Sequence, residues 1–257
     1  IGKTRLVGEF ARAASLSDKP AEVHVGDFRP QGGPLHGFRR ILQSIADHCR
    51  GLDKSEQQSI VGKRAVSLAR YEPEFQWFVD KEDSAPDLLP DAARQLLFQD
   101  LWGMLHALGE RQPLVLILDD VQWADELSME FLEYLRAQAQ LAPLRAAILA
   151  TRRTGEPCPS VDEFESRPGV VSVRLGRLEP DAVRMLISDM LALPQVPSEL
   201  SDALFQHSEG NPLFLTEYLL ESVSERLIWR SPDGNWHAGG GAAKEQDYAR
   251  IGLPSNV

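Results

Sequence analysis

Apolar and polar residues follow one another along the chain in patterns that predict strands and helices. Residues 21–28 (AEVHVGDF) alternate between the two classes and predict a short strand, whereas residues 35–49 carry apolar side chains at helical spacing. Residues 113–120 (PLVLILDD) differ, because five consecutive apolar residues precede two carboxylates. Such a run is typical of a strand buried on both faces of a parallel sheet. Residues 145–153 repeat this design, since an apolar run again ends in polar groups.

The remaining pattern predicts two regions of different architecture. Further helices are predicted over 5–14, 54–70, 91–109 and 126–140, and a further strand over 170–178. Strands that alternate with helices indicate a three-layer α/β domain with a mainly parallel sheet. Beyond that point the segments are helical and are joined by short Pro, Gly and Ser stretches. We therefore predict an α/β domain over 1–178, a small helical domain over 179–257, and a flexible glycine-rich loop over 234–246.

Charge and composition exclude several classes of function. The chain has 257 residues and a formal net charge of −11, which argues against direct contact with a nucleic-acid backbone, because that contact needs a basic surface. No apolar run reaches the roughly 18–20 residues of a membrane span, so we expect no membrane contact and a cytoplasmic location. Cys49 and Cys158 lie far apart without metal-type neighbours, so neither a disulfide framework nor a zinc site is implied.

The opening residues IGKT match the end of a phosphate-binding loop. That loop has the pattern G-x-x-x-x-G-K-[ST], follows a buried strand and leads into a helix. Gly2, Lys3 and Thr4 fit its last positions, with the Lys3 ammonium directed to the β- and γ-phosphates and the Thr4 hydroxyl to Mg²⁺. The first strand and first glycine of the pattern are missing from the sequence, so we expect an N-terminally truncated loop. The alternative is a frayed helix with a surface lysine.

Two acids at the end of the apolar run supply the second part of a nucleotide site. Asp119 is placed to hold a magnesium ion through its water shell, and Asp120 to orient or deprotonate an attacking water. Open α/β sheets bind their ligands at this end of the strands. The alternative is that both acids are solvated or cap the next helix. Because the acids and the GKT residues occur together and in the order of the phosphate-binding proteins, a nucleotide-binding fold is favoured.

The next strand end adds cationic groups to the same rim. The segment ATRRTGE contains Thr151, Arg152 and Arg153 directly after the apolar run. A guanidinium at this position can meet the charge of a γ-phosphate, as clamping groups do in phosphoryl transfer. From the residues alone, either arginine fits this role, and either could instead form a surface ion pair with a nearby acid.

Three segments in this order carry a family resemblance. LVLILDDVQWADELSMEFLEYL, ATRRTGE and SEGNPLFLTEYL resemble the signal-transduction ATPases with numerous domains (STAND), a P-loop class related to AAA and origin-recognition ATPases. The similar subgroup belongs to large bacterial regulators: transcriptional activators of the LuxR type, class III adenylate cyclases, and serine/threonine or histidine kinases. The resemblance covers essentially the whole chain and implies a three-layer P-loop fold, here without its first strand, followed by a small helical domain.

The resemblance also implies roles for individual residues. Asp119 and Asp120 correspond to the magnesium and water site, and Arg152 is the better match to the arginine that senses the γ-phosphate. The ligand implied is ATP with Mg²⁺. ATP is preferred to GTP because of the family, and the sequence has no guanine-reading N-K-x-D stretch.

The resemblance gives the Gly-Asn-Pro turn a role at the nucleotide. It implies that Gly210, Asn211 and Pro212 approach the base. From the residues alone, this stretch only breaks one helix and starts another, with proline suited to a first helical turn. A purely structural joint between two helices is therefore the alternative.

These observations predict an ATP-binding and slowly hydrolysing switch module of a multidomain bacterial signalling or transcription regulator. ATPase activity is expected of the intact parent protein. The expected partners are ATP, other domains of the parent regulator and, through ATP-dependent self-association, further copies of the chain. Two alternatives remain: a non-hydrolysing interaction scaffold with a degenerate ATPase fold, and an origin-recognition-type DNA loader.

Overall fold

The computed structural model describes residues 2–81, 86–193, 195–226, 228–234 and 236–238. The chain divides into two compact units. Thr4–Ser172 forms the larger unit, and the described residues from Val173 onward form the smaller one, with which Gly2 and Lys3 are grouped. The boundary predicted between residues 178 and 179 stays a prediction.

The larger unit follows an alternating order of helices and strands. Its helices are α1 (Lys3–Ser15), α2 (His36–Arg50), α3 (Lys54–Ile60), α4 (Ala65–Leu68), α5 (Pro90–Arg111), α6 (Glu126–Leu141) and α7 (Pro159–Glu165). Its strands are β1 (Glu22–Asp27), β2 (Leu114–Asp119) and β3 (Ala146–Ala150), and short 3₁₀ helices cover Gly62–Arg64, Pro73–Phe78 and Val121–Trp123. This order confirms the α/β part of the predicted fold class, and the three-layer arrangement stays a prediction.

The sheet is parallel, with β2 between β1 and β3. Asp27 of β1 lies opposite Asp119 of β2, and Leu118 of β2 lies opposite Ala150, the last residue of β3. Because all strands run in the same direction, the residues that end them meet at a single edge of the sheet. We call this edge the carboxyl edge.

The apolar run of β2 places the main core on one face of the sheet. Leu114 to Leu118 are all buried, as expected of the central strand of a parallel sheet. Alternate side chains of the strand, namely Leu114, Leu116 and Leu118, belong to the large apolar core that also contains buried side chains of α2, α5 and α6. Helix α1 buries no side chain completely.

The structure departs from the sequence prediction at two places in this unit. The helix predicted over 54–70 is interrupted, because Gly62 takes a positive φ of 42° between α3 and α4. The strand predicted over 170–178 is wrong: these residues form no ladder with any strand in the described part of the chain. Val171 and Val173, which gave that segment its strand pattern, are 85% and 73% exposed.

The smaller unit contains three helices and a hairpin among its described residues. The helices are α8 (Pro180–Leu191), α9 (Ser198–Ser208) and α10 (Pro212–Ser224), and the antiparallel hairpin consists of β4 (Ile228–Arg230) and β5 (Trp236–Ala238). Side chains from all three helices and Ile228 form a separate apolar core. The loop predicted over 234–246 therefore contains a strand at 236–238, and residues 235 and 239–246 lie outside the described residues.

No described helix is both long enough and apolar enough to cross a membrane.

Two glycines allow helix α2 to approach strand β1. A Cβ atom on Gly26 would lie 2.0 Å from the carbonyl oxygen of Gly37, and a Cβ atom on Gly37 would lie 2.2 Å from the ring of Phe28. Neither distance is sterically permitted. The close approach seats α2 against the strand whose carboxyl end borders the carboxyl edge.

We predict that Gly26→Ala lowers the free energy of unfolding by about 1–3 kcal/mol, because the added methyl group meets a backbone oxygen that cannot rotate away. Gly33→Ala is the matched control, since its Cβ atom would have no neighbour within 4 Å. Its effect should stay within about 0.5 kcal/mol. Urea unfolding of both variants tests the prediction, and equal stabilities of the two would contradict it.

Candidate functional site

Helix α1 and strand β2 bring a hydroxyl and a carboxylate together at the carboxyl edge. Lys3 is the first residue of α1, and Gly2 before it takes a positive φ of 86°, which favours glycine. From the first turn of the helix, the Thr4 hydroxyl donates to Asp119 Oδ2 over 3.4 Å. The structure thus brings together the two residues that the sequence predicted to hold magnesium, although they lie 115 positions apart.

The residue after β3 holds the other oxygen of the same carboxylate. Thr151 is buried, and its hydroxyl donates to Asp119 Oδ1. The same hydroxyl oxygen accepts the backbone N–H of Asp120 over 3.3 Å, and the Thr151 carbonyl accepts the N–H of Val121 over 2.9 Å. Thr151 therefore fixes both the Asp119 side chain and the backbone that follows it.

Asp120 has an unfavourable backbone conformation. Its φ of 55° and ψ of 48° lie in the left-handed region, which costs a residue with a side chain about 1–3 kcal/mol unless it is held there by its surroundings. The bonds to Thr151 provide that constraint. This conformation ends β2 at Asp119 and turns the chain sharply into the 3₁₀ segment Val121–Trp123.

Arg153 is the arginine that lies near the acid pair. Its Nε is 3.5 Å from Asp120 Oδ1, and its side chain is 60% exposed. The Gln122 side chain lies between the same two residues, because its Nε2 donates to Asp120 Oδ1 over 3.0 Å and its Oε1 accepts the Arg153 backbone N–H over 3.2 Å.

Arg152, which the sequence prediction preferred, is directed elsewhere. Its guanidinium bonds Asp162 Oδ1 at 2.6 Å and Glu165 Oε1 at 2.8 Å, both on α7. Burial alone would lower the pKa of Arg152, but the hydrogen bond to Asp162 and the charges of both acids outweigh it and raise the pKa above its usual value. In this structure Arg152 ties α7 to the end of β3, and its predicted role at the γ-phosphate stays a prediction.

Asp125 performs the capping role that the alternative interpretation gave to the acids after β2. Its side chain accepts the N–H of Ser128 over 3.1 Å and so begins α6. It also accepts the N–H of Leu35, at the start of α2, over 3.2 Å. Because Asp125 caps the helix, Asp119 and Asp120 are not required for that purpose.

The Gly-Asn-Pro turn has structural tasks within the smaller unit. Gly210 takes a φ of 72°, and a Cβ atom there would lie 2.2 Å from the Leu178 carbonyl oxygen. The Asn211 side chain caps α10 by accepting the N–H of Leu213 over 2.9 Å, and Pro212 occupies the first turn of that helix. These contacts explain the three residues as a joint between helices, and their predicted contact with the base stays a prediction.

The donor atoms at the carboxyl edge suit a magnesium ion. Thr4 contributes a hydroxyl oxygen and Asp119 a carboxylate oxygen, and Mg²⁺ prefers oxygen ligands. Across the described residues, no group of three or more His, Cys, Asp or Glu side chains is arranged to hold a metal ion. Mg²⁺ needs no such cage in nucleotide sites, because substrate phosphates and water complete its coordination.

A second carboxylate at the same edge, that of Asp27, forms ion pairs with two arginines. Asp27 on β1 bonds Arg40 NH1 at 2.9 Å and Arg29 Nε at 2.7 Å. The hydrogen bond from Arg40, and then that from Arg29, lower the pKa of the Asp27 carboxyl despite its partial burial. Asp27 therefore differs from Asp119, whose carboxylate accepts its described hydrogen bonds from hydroxyl groups.

Sequence reasoning placed Thr151 at the rim without assigning it a role, and it missed Gln122. Because parallel strands end at the same edge of the sheet, the residue that follows β3 is expected beside Asp119 at the end of β2. The sequence pattern could therefore have identified Thr151 as a contact of Asp119. Gln122 carries no charge, and its contacts depend on the turn geometry at Asp120.

Comparison with known proteins gives a family for the chain. No curated protein and no solved structure matches the chain significantly. A family model described as an AAA ATPase domain matches residues 1–149 of the 257, which include Thr4, Asp119 and the whole three-stranded sheet except the end of β3. Such a domain implies nucleotide binding, typically of ATP with Mg²⁺, and ATPase activity in general. The family model covers more than half of the chain, and the motifs and parallel sheet of the chain agree with it. The chain belongs to the AAA ATPase domain family.

Proposed function

We propose that the chain is an ATP-binding and slowly hydrolysing switch module of a multidomain bacterial regulator, of the STAND class. The observation that carries this proposal is the contact of the Thr4 hydroxyl with Asp119, which is held from its other side by Thr151. A hydroxyl from the first turn of a helix beside the carboxylate of a buried strand is the pair of protein ligands that P-loop ATPases offer to magnesium.

The start of α1 provides the positive end of the proposed site. The first turn of a helix exposes backbone N–H groups, and the helix dipole adds partial positive charge, so the start of a helix favours a phosphate. Lys3 would add an ammonium there, and Gly2 would let the backbone approach the phosphates closely.

Thr4 and Asp119 would hold Mg²⁺. When bound, the ion supplies positive charge that offsets the charge on the β- and γ-phosphate oxygens. Asp119 keeps its orientation through the Thr151 hydroxyl, so its Oδ2 faces the Thr4 side of the edge.

Asp120 is the proposed acceptor of a proton from the attacking water. Its carboxylate is 29% exposed and stands next to Asp119, on a turn that Thr151 fixes. Arg153 is the better candidate for the γ-phosphate cation, because its guanidinium lies beside Asp120 while the guanidinium of Arg152 is paired with two acids of α7. Arg153 could leave Asp120 and bind a phosphate at little cost in free energy, because its ion pair with Asp120 is largely exposed and therefore weak.

A switch requires that ATP and its product stabilise different states of the protein. Loss of the γ-phosphate removes the partner proposed for Arg153, so this residue provides a difference between the two nucleotides. The proposed partners are ATP, the other domains of the parent regulator and further copies of the chain. The output domain class, whether kinase, cyclase or DNA-binding, follows from the resemblance alone.

We predict that Asp119→Asn in the full-length protein weakens ATP binding at least tenfold in the presence of Mg²⁺ and changes it little in EDTA, because only the ion-dependent part is lost. Calorimetric titration under both conditions measures this. The control is Asp27→Asn, the same change at the same edge on a carboxylate already paired with two arginines. An equal loss in both variants would contradict the assignment of Asp119.

We predict that the two neighbouring arginines respond differently to truncation. Arg153→Ala should slow ATP hydrolysis about tenfold or more, because a phosphate-facing cation is lost. Arg152→Ala should keep most of the hydrolysis rate and lower the free energy of unfolding by about 1 kcal/mol, because it breaks a partly exposed ion-pair network. Steady-state hydrolysis and urea unfolding measure the two effects. Loss of hydrolysis in Arg152→Ala at unchanged stability would restore Arg152 as the phosphate sensor.

A further inference from the structure

Gln122 is the side chain that connects the two halves of the proposed hydrolytic machinery. It belongs to the 3₁₀ segment after β2, and its amide reaches from Asp120 on that side to the backbone of Arg153 on the β3 side. The two bonds measure 3.0 Å and 3.2 Å. Through these two bonds, the Gln122 side chain connects Asp120 to Arg153, 33 positions further along the sequence.

The chemistry of the two partners determines the orientation of the amide. The Asp120 carboxylate only accepts hydrogen bonds, so it must face the NH₂ group, and the Arg153 N–H only donates, so it must face the carbonyl oxygen. A flipped amide would place oxygen against oxygen and N–H against N–H. Glutamine satisfies both ends in a single orientation, which neither glutamate nor a hydrocarbon of the same length can do.

The bridge acts on a residue whose backbone is strained. Asp120 lies in the left-handed region, where small changes of the turn would redirect its carboxylate. The described contacts of that carboxylate, from Gln122 and from the Arg153 side chain, are both to Oδ1. Holding Oδ1 fixes the direction of Oδ2, the oxygen that could accept a proton from water.

From these contacts we infer that Gln122 is a positioning residue for ATP hydrolysis. It holds the Asp120 carboxylate in its working direction and makes that direction depend on the position of the Arg153 backbone. The inference rests on the proposed function, since Asp120 and Arg153 are its proposed proton acceptor and phosphate-facing cation. A displacement of the loop that carries Arg153 would then be transmitted to Asp120 through one amide.

The test compares two substitutions of Gln122 in the full-length protein. Gln122→Met keeps the length of the side chain and removes both hydrogen bonds, whereas Gln122→Glu keeps the acceptor for the Arg153 N–H and places a negative charge against Asp120. The controls are Gln140→Met and Gln140→Glu, on an exposed residue near the end of α6. The readouts are hydrogen exchange of the Arg153 amide, the affinity for ATP with Mg²⁺, and kcat for hydrolysis.

In Gln122→Met, we expect the Arg153 amide to exchange about tenfold faster and kcat to fall about tenfold, with ATP affinity within about twofold of the wild type. In Gln122→Glu, we expect the same fall in kcat with the Arg153 amide still protected. This split between kcat and affinity, and between the two exchange rates, is not produced by a general loss of structure.

Unchanged exchange of the Arg153 amide in Gln122→Met would overturn the bridge, and an unchanged kcat in both variants would overturn the positioning role. A wild-type protein that binds no ATP would instead overturn the proposed function, together with any role of Gln122 in it. The amide exchange of Arg153 is measured without nucleotide, so it separates these two failures.

Discussion

The burial of strand β2 is the constraint on which the rest of the structure depends. Its apolar residues lie between two parallel neighbours and under a helical layer, where no carboxylate could be accommodated without a partner. The charge therefore begins at the last residue of the strand. Because β1 and β3 run parallel to β2, their ends lie at that same edge, and one edge of the sheet collects the polar groups.

At this edge the structure treats two carboxylates in opposite ways. Asp27 is paired with two arginines, while the Asp119 carboxylate accepts its described hydrogen bonds from the hydroxyls of Thr4 and Thr151. Hydroxyl groups orient a carboxylate without adding a positive charge beside it, as the arginines do at Asp27. The strained turn at Asp120 follows from the same arrangement, because Thr151 bonds the backbone on both sides of it.

Most of the fold and the centre of the site could be predicted from the sequence. The apolar run ending in DD predicted β2 and the position of both acids. The joint occurrence of GKT and DD, in this order, predicted that Thr4 and Asp119 lie at the same site. Local patterns predicted less where long-range contacts decide. Val171 and Val173 have a strand pattern but pair with no strand among the described residues, and Gly62 interrupts a helical pattern through its backbone conformation.

The choice between Arg152 and Arg153 could not be made from the sequence for a similar reason. Both follow β3 directly, and which of them faces the acids depends on how the chain turns after the strand and on where α7 places Asp162 and Glu165. The role of Gln122 could not be predicted, because it depends on two partners, Asp120 and Arg153, that the turn after β2 brings within hydrogen-bond distance. In both cases the deciding contacts are tertiary.

ATP binding at the Thr4–Asp119 site is decided by a calorimetric titration of the wild-type full-length protein with ATP, first with Mg²⁺ and then in EDTA. We expect saturable binding that is much tighter with Mg²⁺, because Thr4 and Asp119 are placed to hold the ion. Absence of ATP binding in the presence of Mg²⁺ would contradict this expectation and would favour a protein-interaction scaffold built on the same fold.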